Sequence, residues 1–398
     1  MKKKNLGTTL IRTGAAHEYR KEEGRVSVPE TLGIHPASVY AFDSVADMET
    51  VYSGETDSYI YGRTSNPNTD NVQHILAAVE EGEAALTFSS GMAAIVTTIL
   101  SLVSSGDHLI ATPILYGAVW DFFAHDLPRF GVEVSFVDPE RDDPADFVKE
   151  NTKVFYTETI ANPTMEVGDL ARYARITGEK GIRLVVDNTF ASPVVAQPLK
   201  LGADIVVYSA TKYLGGHSDI VGGAVIGNTE DIQKIGRYHT LYGAIMDPFS
   251  AWLLTRSLRT LDLRVRKQSR NALAVAEFLA EQTVVKRVFY PGLKDHPSHE
   301  IAKRQFTDGL YGGMISFDLG TEERAIRMID ELDQIKLVPS LAGVATSISY
   351  PARTSHRAYS KEQLEEAGIT AGTLRLSVGI EEAEDIIAEL EQAFTHIG

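Results

Sequence analysis

Between residues 84 and 211 the chain alternates short apolar runs with longer amphipathic stretches. The runs "AALTF", "HLIAT", "EVSFVD", "KVFYTET", "IRLVVD" and "DIVVYSAT" are rich in β-branched and aromatic residues and predict strands. Between them, "MAAIVTTILSLV", "YGAVWDFFAHDL" and "DLARYARITGEKG" carry helical spacing. Near-continuous apolar strands separated by helices predict a mostly parallel sheet covered on both faces, an α/β fold. Residues 1–62 are irregular and rich in Gly, Ser, Thr and Tyr, and read as an extended arm. After about residue 256 the helix "SRNALAVAEFLAEQ" and the strands "GGMISFDLG" and "GTLRLSVGI" predict a smaller α/β lobe, joined through a long helix around "FSAWLLTRSLRTL". The expected order is an arm (1–62), a large lobe (63–256) and a C-terminal lobe (257–398).

Composition changes this picture little. With 398 residues, 43% of them apolar and 23% charged, the chain is too long for one core and ordinary for a globular protein. No apolar run is long enough to span a bilayer, and "MKKKNLGTTLIRTG" lacks the apolar centre of a secretory signal. Lys2 to Lys4 read as a solvated terminus. The absence of cysteine excludes disulfides and thiolate metal sites and points to a cytoplasmic protein. A net charge of -16 argues against nucleic acid or an anionic membrane as partner.

Chemistry gathers where the strands end, since open parallel sheets bind ligands beyond their carboxyl ends. There "IRLVVD" delivers Asp187, the next strand delivers Ser209, Thr211 and Lys212, and "AALTFSSGM" opens a helix at Ser90, Gly91 and Met92. Tyr116 follows "HLIAT" to the same rim. A helix start with hydroxyls suits a phosphate, and an aspartate suits a protonated pyridine nitrogen. An aromatic ring suits a flat partner, and a lysine suits an aldehyde. Pyridoxal 5'-phosphate (PLP) unites these needs: Gly91, Met92, Ser209 and Thr211 for its phosphate, Asp187 for its nitrogen, Tyr116 for its face, and Lys212 for its covalent link. Taken singly, each has a plainer role: Lys212 as a surface lysine, Asp187 as a turn carboxylate, Ser90 as a helix cap.

The segments "SATKYLGGHSD", "YGRTSNPN", "FSSGMAAI", "ETIANPT", "VVDNTFASP" and "LRLSVGIE" resemble, in order and spacing, the signatures of the Cys/Met-metabolism PLP enzymes. That group includes the cystathionine γ- and β-lyases, cystathionine γ-synthase, methionine γ-lyase and the homoserine sulfhydrylases. The resemblance implies a type I aminotransferase-like fold and a homo-oligomer, a tetramer of two catalytic dimers. It implies that Tyr61 and Arg63 reach the phosphate held by a neighbouring subunit and that Asn162 lies beside the ring hydroxyl. Substrate would be held by Arg375, Ser340 and Tyr116, with Lys212 and Tyr116 catalytic. In "GTLRLSVG" the alternation independently puts Arg375 opposite Leu374 and Leu376, and a guanidinium is the best two-point partner for a carboxylate.

The implied reaction is γ-elimination, or β-elimination, on a γ-substituted amino acid such as methionine, cystathionine or a homoserine derivative, giving a 2-oxo acid and ammonia. γ-Replacement with an O-acylhomoserine and a thiol is the alternative, and a PLP-binding protein without turnover is the reading from another class. Methionine γ-lyases carry a cysteine where this chain has Ala118 and a Lys-Asp pair where it has His239-Thr240. Many cystathionine-handling members carry a glutamate where it has Ala345. His217 with Asp219, and His296 with His299, lack a third ligand, so no metal is expected. A nicotinamide dehydrogenase would need a strand-linked GxGxxG, and hydrolases would need GxxxxGK[ST] or GxSxG; none is present.

Overall fold

The computed structural model describes residues 4–14, 30–354, 357, 364 and 368–397. Lys2, Lys3 and residues 15–29 of the expected arm lie outside them. Seven strands form the large sheet: β1 (Ala84–Phe88), β2 (His108–Ala111), β3 (Glu133–Phe136), β4 (Thr152–Glu158), β5 (Arg183–Asp187), β6 (Ile205–Ser209) and β7 (Gly223–Gly227). Their order is β1-β7-β6-β5-β4-β2-β3, with β7 antiparallel to both neighbours and the other pairs parallel. The glycine-rich β7, "GAVIG", is the strand of this sheet that the hydrophobic pattern did not announce.

Helices cover both faces. Described in chain order, they begin with α1 (Leu6–Arg12), α2 (Val45–Tyr52), α3 (Pro67–Glu80), α4 (Gly91–Leu102) and α5 (Gly117–Asp121). After these come α6 (Leu170–Gly178), α7 (Ser192–Val195), α8 (Thr229–Tyr242), α9 (Pro248–Leu258) and α10 (Leu261–Glu281). β6 shows why its run is apolar throughout. Ile205 and Val207 pack with Ile95 and Ile99 of α4, while Val206 and Tyr208 pack with Val72 and Ile75 of α3 on the other face. Burying such a side chain stabilises by roughly 1.5–3 kcal/mol, which makes this strand a rigid platform for the turn at its carboxyl end.

The second sheet holds β8 (Arg287–Phe289), β9 (Met314–Asp318), β10 (Lys336–Leu337), β11 (Ser347–Ser349) and β12 (Thr373–Ser377), in the order β10-β11-β12-β9-β8. The expected joining helix is two helices, since α9 stops at Leu258 and α10 starts at Leu261. α10 makes the join itself: Leu261 and Val265 enter the core of the large sheet, and Ala272, Val275 and Leu279 enter that of the small one. The arm also differs from a purely extended one, because α1 buries Leu10 in the large core and Ser44 caps α2 by accepting from the Asp47 amide. Among the described residues no helix is long and apolar enough to cross a membrane.

Candidate active site

β1, β4, β5 and β6 end on one rim, where a cavity of about 260 Å3 opens between the sheets. Lys212 lies just beyond β6, with its amide donating to the Ser209 carbonyl at 3.1 Å. Its Nζ donates to Ser340 Oγ at 2.9 Å. Burial and the nearby Arg375 charge pull the amine from its ordinary value down to about 8. Behind it, the buried Arg264 donates to the carbonyls of Tyr213 at 2.9 Å and Ser257 at 3.0 Å, fixing the turn that carries the lysine.

The helix start forms a concave anion seat. Ser90 caps α4 by accepting from the Ala93 amide at 3.0 Å, and the first-turn N-H groups of Gly91 and Met92 have no partner among the described residues. A Cβ on Gly91 would come within 2.7 Å of Ser209 Cβ, so only glycine lets helix and strand approach this closely. Gly223 does the same below, where a Cβ would strike the Ser90 carbonyl, and this is why a glycine-rich segment forms β7. Ser209 faces the seat. The Thr211 hydroxyl lines the same cavity but also accepts from the Gly222 amide at 3.0 Å.

Asp187 is buried, and its Oδ1 accepts from the Thr189 amide at 2.9 Å while Oδ2 accepts from the Tyr156 hydroxyl at 3.4 Å. Arg375 is also buried, on β12, with Nη1 donating to Asn162 Oδ1 at 2.6 Å and its guanidinium 5.9 Å from the centre of the Phe190 ring. Its Nε has no partner among the described residues, a costly orphan for a buried cation. Burial lowers this guanidinium to about 10, so it stays charged at neutral pH.

Tyr116 lines the cavity as the N-cap of α5. Tyr61 and Arg63 are not brought there. Both are exposed, and Arg63 Nη1 donates to the Thr240 carbonyl at 2.8 Å. His239 is buried against Phe88 and bonds the Thr87 carbonyl at 2.9 Å, a packing role, and Ala118 and Ala345 are not buried. His217 bonds the Gly215 carbonyl, and His296 accepts from the Ser298 amide. Sequence reasoning missed Glu158 and Thr189. Glu158 ends β4 on the same rim as Asp187 and stands inside the motif "ETIANPT", which was signal enough; Thr189 follows Asp187 and accepts from the Ser209 amide at 2.8 Å.

A family model for Cys/Met metabolism PLP-dependent enzymes matches residues 7–395. The chain belongs to that family. It is 42% identical over 402 residues to the L-methionine γ-lyase of Fusobacterium nucleatum subsp. polymorphum, covering 100% of this chain and 99% of that one. It is 40% identical over 399 residues to the cystathionine γ-lyase of Bacillus subtilis (strain 168), covering 100% of both. Among solved structures, cystathionine γ-synthase from Xanthomonas oryzae pv. oryzae, in complex with aminoacrylate and cysteine, superposes with a TM-score of 0.90 at 35% identity over 99% of this chain and 98% of that one. The family's cofactor is PLP, and the residues fit it: a glycine at a helix start with free amides, a buried carboxylate and a desolvated lysine amine line one cavity.

Proposed function

We propose that the protein is a PLP-dependent γ-lyase that releases a 2-oxo acid and ammonia from a γ-substituted amino acid such as methionine, cystathionine or a homoserine derivative. The observation that carries this is the Lys212 amine, half-buried, pulled down to about 8 and sharing a cavity with an unpaired Arg375 Nε. Gly91, Met92, Ser209 and Thr211 would hold the cofactor phosphate, with Ser90 shaping their turn. Asp187 would hold its nitrogen, Asn162 would lie near its hydroxyl, and Tyr116 would cover its face. When bound, PLP supplies the electron sink for the negative charge that develops at the substrate Cα.

Every other task falls to side chains. Arg375 binds the α-carboxylate as a two-point donor. Lys212 takes the Cα proton and then carries a proton from Cβ, with Ser340 steering its amine between the two positions. Tyr116 gives a proton to the leaving group. Purified PLP-loaded protein should release a 2-oxo acid from at least one of methionine, homocysteine, cystathionine, O-acylhomoserines or canavanine without added thiol. Similarity to a γ-synthase supports the second reading, γ-replacement, which predicts a thioether product only when a thiol is supplied. Silence with and without thiol would sink both.

Residues 1–62 act as an arm to a neighbouring subunit, 63–256 as the cofactor domain and 257–398 as the C-terminal domain, in a cytoplasmic homo-oligomer of at least two copies. The exposed positions of Tyr61 and Arg63, away from their own chain's cavity, support this, because a pair reserved for a neighbour's phosphate has no phosphate to reach at home. Arg63→Ala should therefore weaken PLP retention about tenfold, read by titrating cofactor into the apo-protein. Unchanged affinity would remove the arm from the site.

A further inference from the structure

Glu158 stands on the cavity wall, 7% exposed, paired across the sheet with Asp187. Two adjacent buried carboxyls cannot both ionise cheaply, so they share charge unequally. Asp187 has the Thr189 amide and the Tyr156 hydroxyl to hold a negative charge. Burial, and then Asp187, push Glu158 well above the usual carboxylate range against the lowering effect of the Tyr116 and Asn162 amides, and burial raises Asp187 too. Lys212 and Arg375 share its cavity, but on the far side it also lines a second cavity of about 150 Å3, where Asp138, Glu140, Glu166 and Asp169 outnumber Arg172.

What Glu158 touches is backbone. Its Oε1 accepts from the Tyr116 amide at 2.6 Å, and the Asn162 amide also faces the carboxyl. The Tyr116 carbonyl in turn accepts from Val119 at 2.8 Å and Trp120 at 3.0 Å, so a fixed amide fixes the whole residue on α5. Asn162 is the residue that grips Arg375. We propose that Glu158 is a positioning residue which seats Tyr116 and the Asn162–Arg375 clamp through their backbone amides. The inference rests on the lyase reading only for what Tyr116 does in turnover.

Glu158→Met removes the acceptor at similar volume, and Glu158→Gln keeps an acceptor oxygen without charge. In the Met variant kcat should fall about 10- to 100-fold, close to the loss in Tyr116→Phe, because the hydroxyl is misplaced rather than absent. The Gln variant should recover to within about fivefold of the parent. Two readouts need no turnover. The visible circular dichroism of bound PLP should change in the Met variant and return in the Gln variant. Unfolding of the apo-protein should also separate the charge states. An acid whose proton the fold holds more tightly costs stability as pH rises above its unfolded pKa of about 4.3, so Glu158→Gln should gain on the parent as pH rises above about 5. A Gln variant as damaged as the Met variant, or one losing stability relative to the parent over that range, would overturn the proposal, as would a Met variant with parental dichroism and kcat. Were the parent itself inactive on every substrate, the lyase reading would fail, while dichroism and unfolding would still decide the role of Glu158.

Discussion

Lys212→Ala should lower 2-oxo acid release by at least about 10^4-fold and abolish covalent attachment of the cofactor. Attachment is read by borohydride reduction and mass spectrometry of the peptide containing residue 212. The size of the effect comes from how much the proposed function rests on one amine, which would both anchor the cofactor and carry both protons. Among the described residues its surroundings leave it no other work, since its amine bonds the Ser340 hydroxyl and no carboxylate pairs with it. Burial first, and then Arg375, lower its proton affinity to about 8. An amine must be neutral to attack an aldehyde, so in the apo-protein, where this amine is free, the rate of its reaction with added PLP should rise as pH passes about 8, rather than near the ordinary lysine value. Retained attachment in Lys212→Ala would end the assignment.

How much of this was legible beforehand depends on where the information lies. β5 and β6 were readable because both faces of each strand are buried, which demands an unbroken apolar run, and a run ending in Asp187 or Lys212 marks the rim directly. β7 was not, because its Gly223 is selected by the Ser90 carbonyl above it and not by strand propensity. The break between α9 and α10 was hidden for a related reason: Leu258 and Leu261 feed the same core, so the apolar pattern runs on across Arg259 and Thr260 while the backbone does not. That Arg375 would line the cavity was legible from its motif and strand face. Its burial was not, since periodicity separates two faces without saying that the polar one is covered by Asn162 and Phe190 from the other lobe. Glu158 is the extreme case, because its importance lies in two backbone amides and an adjacent carboxyl that only folding brings together.

Arg375→Leu should lower kcat/KM by about 30- to 4,000-fold, the consequence of losing roughly 2–5 kcal/mol when a buried charge partner of a carboxylate is removed. Arg375→Lys should fall between the leucine variant and the parent, because lysine keeps the charge but not the planar fork, and leaves Asn162 Oδ1 without its 2.6 Å donor. The same charge has a second, separable effect. Among the described residues Arg375 is the neighbour whose charge holds the Lys212 amine down, so in Arg375→Leu the pH midpoint should move above about 8, while Arg375→Lys should largely keep it. Affinity therefore follows guanidinium shape and the midpoint follows charge, and the two variants pull them apart when kcat/KM is set beside the pH series of PLP attachment to the apo-protein. If Arg375→Leu bound carboxylate substrates as the parent does, the clamp would lie elsewhere in the cavity, and the unpaired Nε would need another ligand.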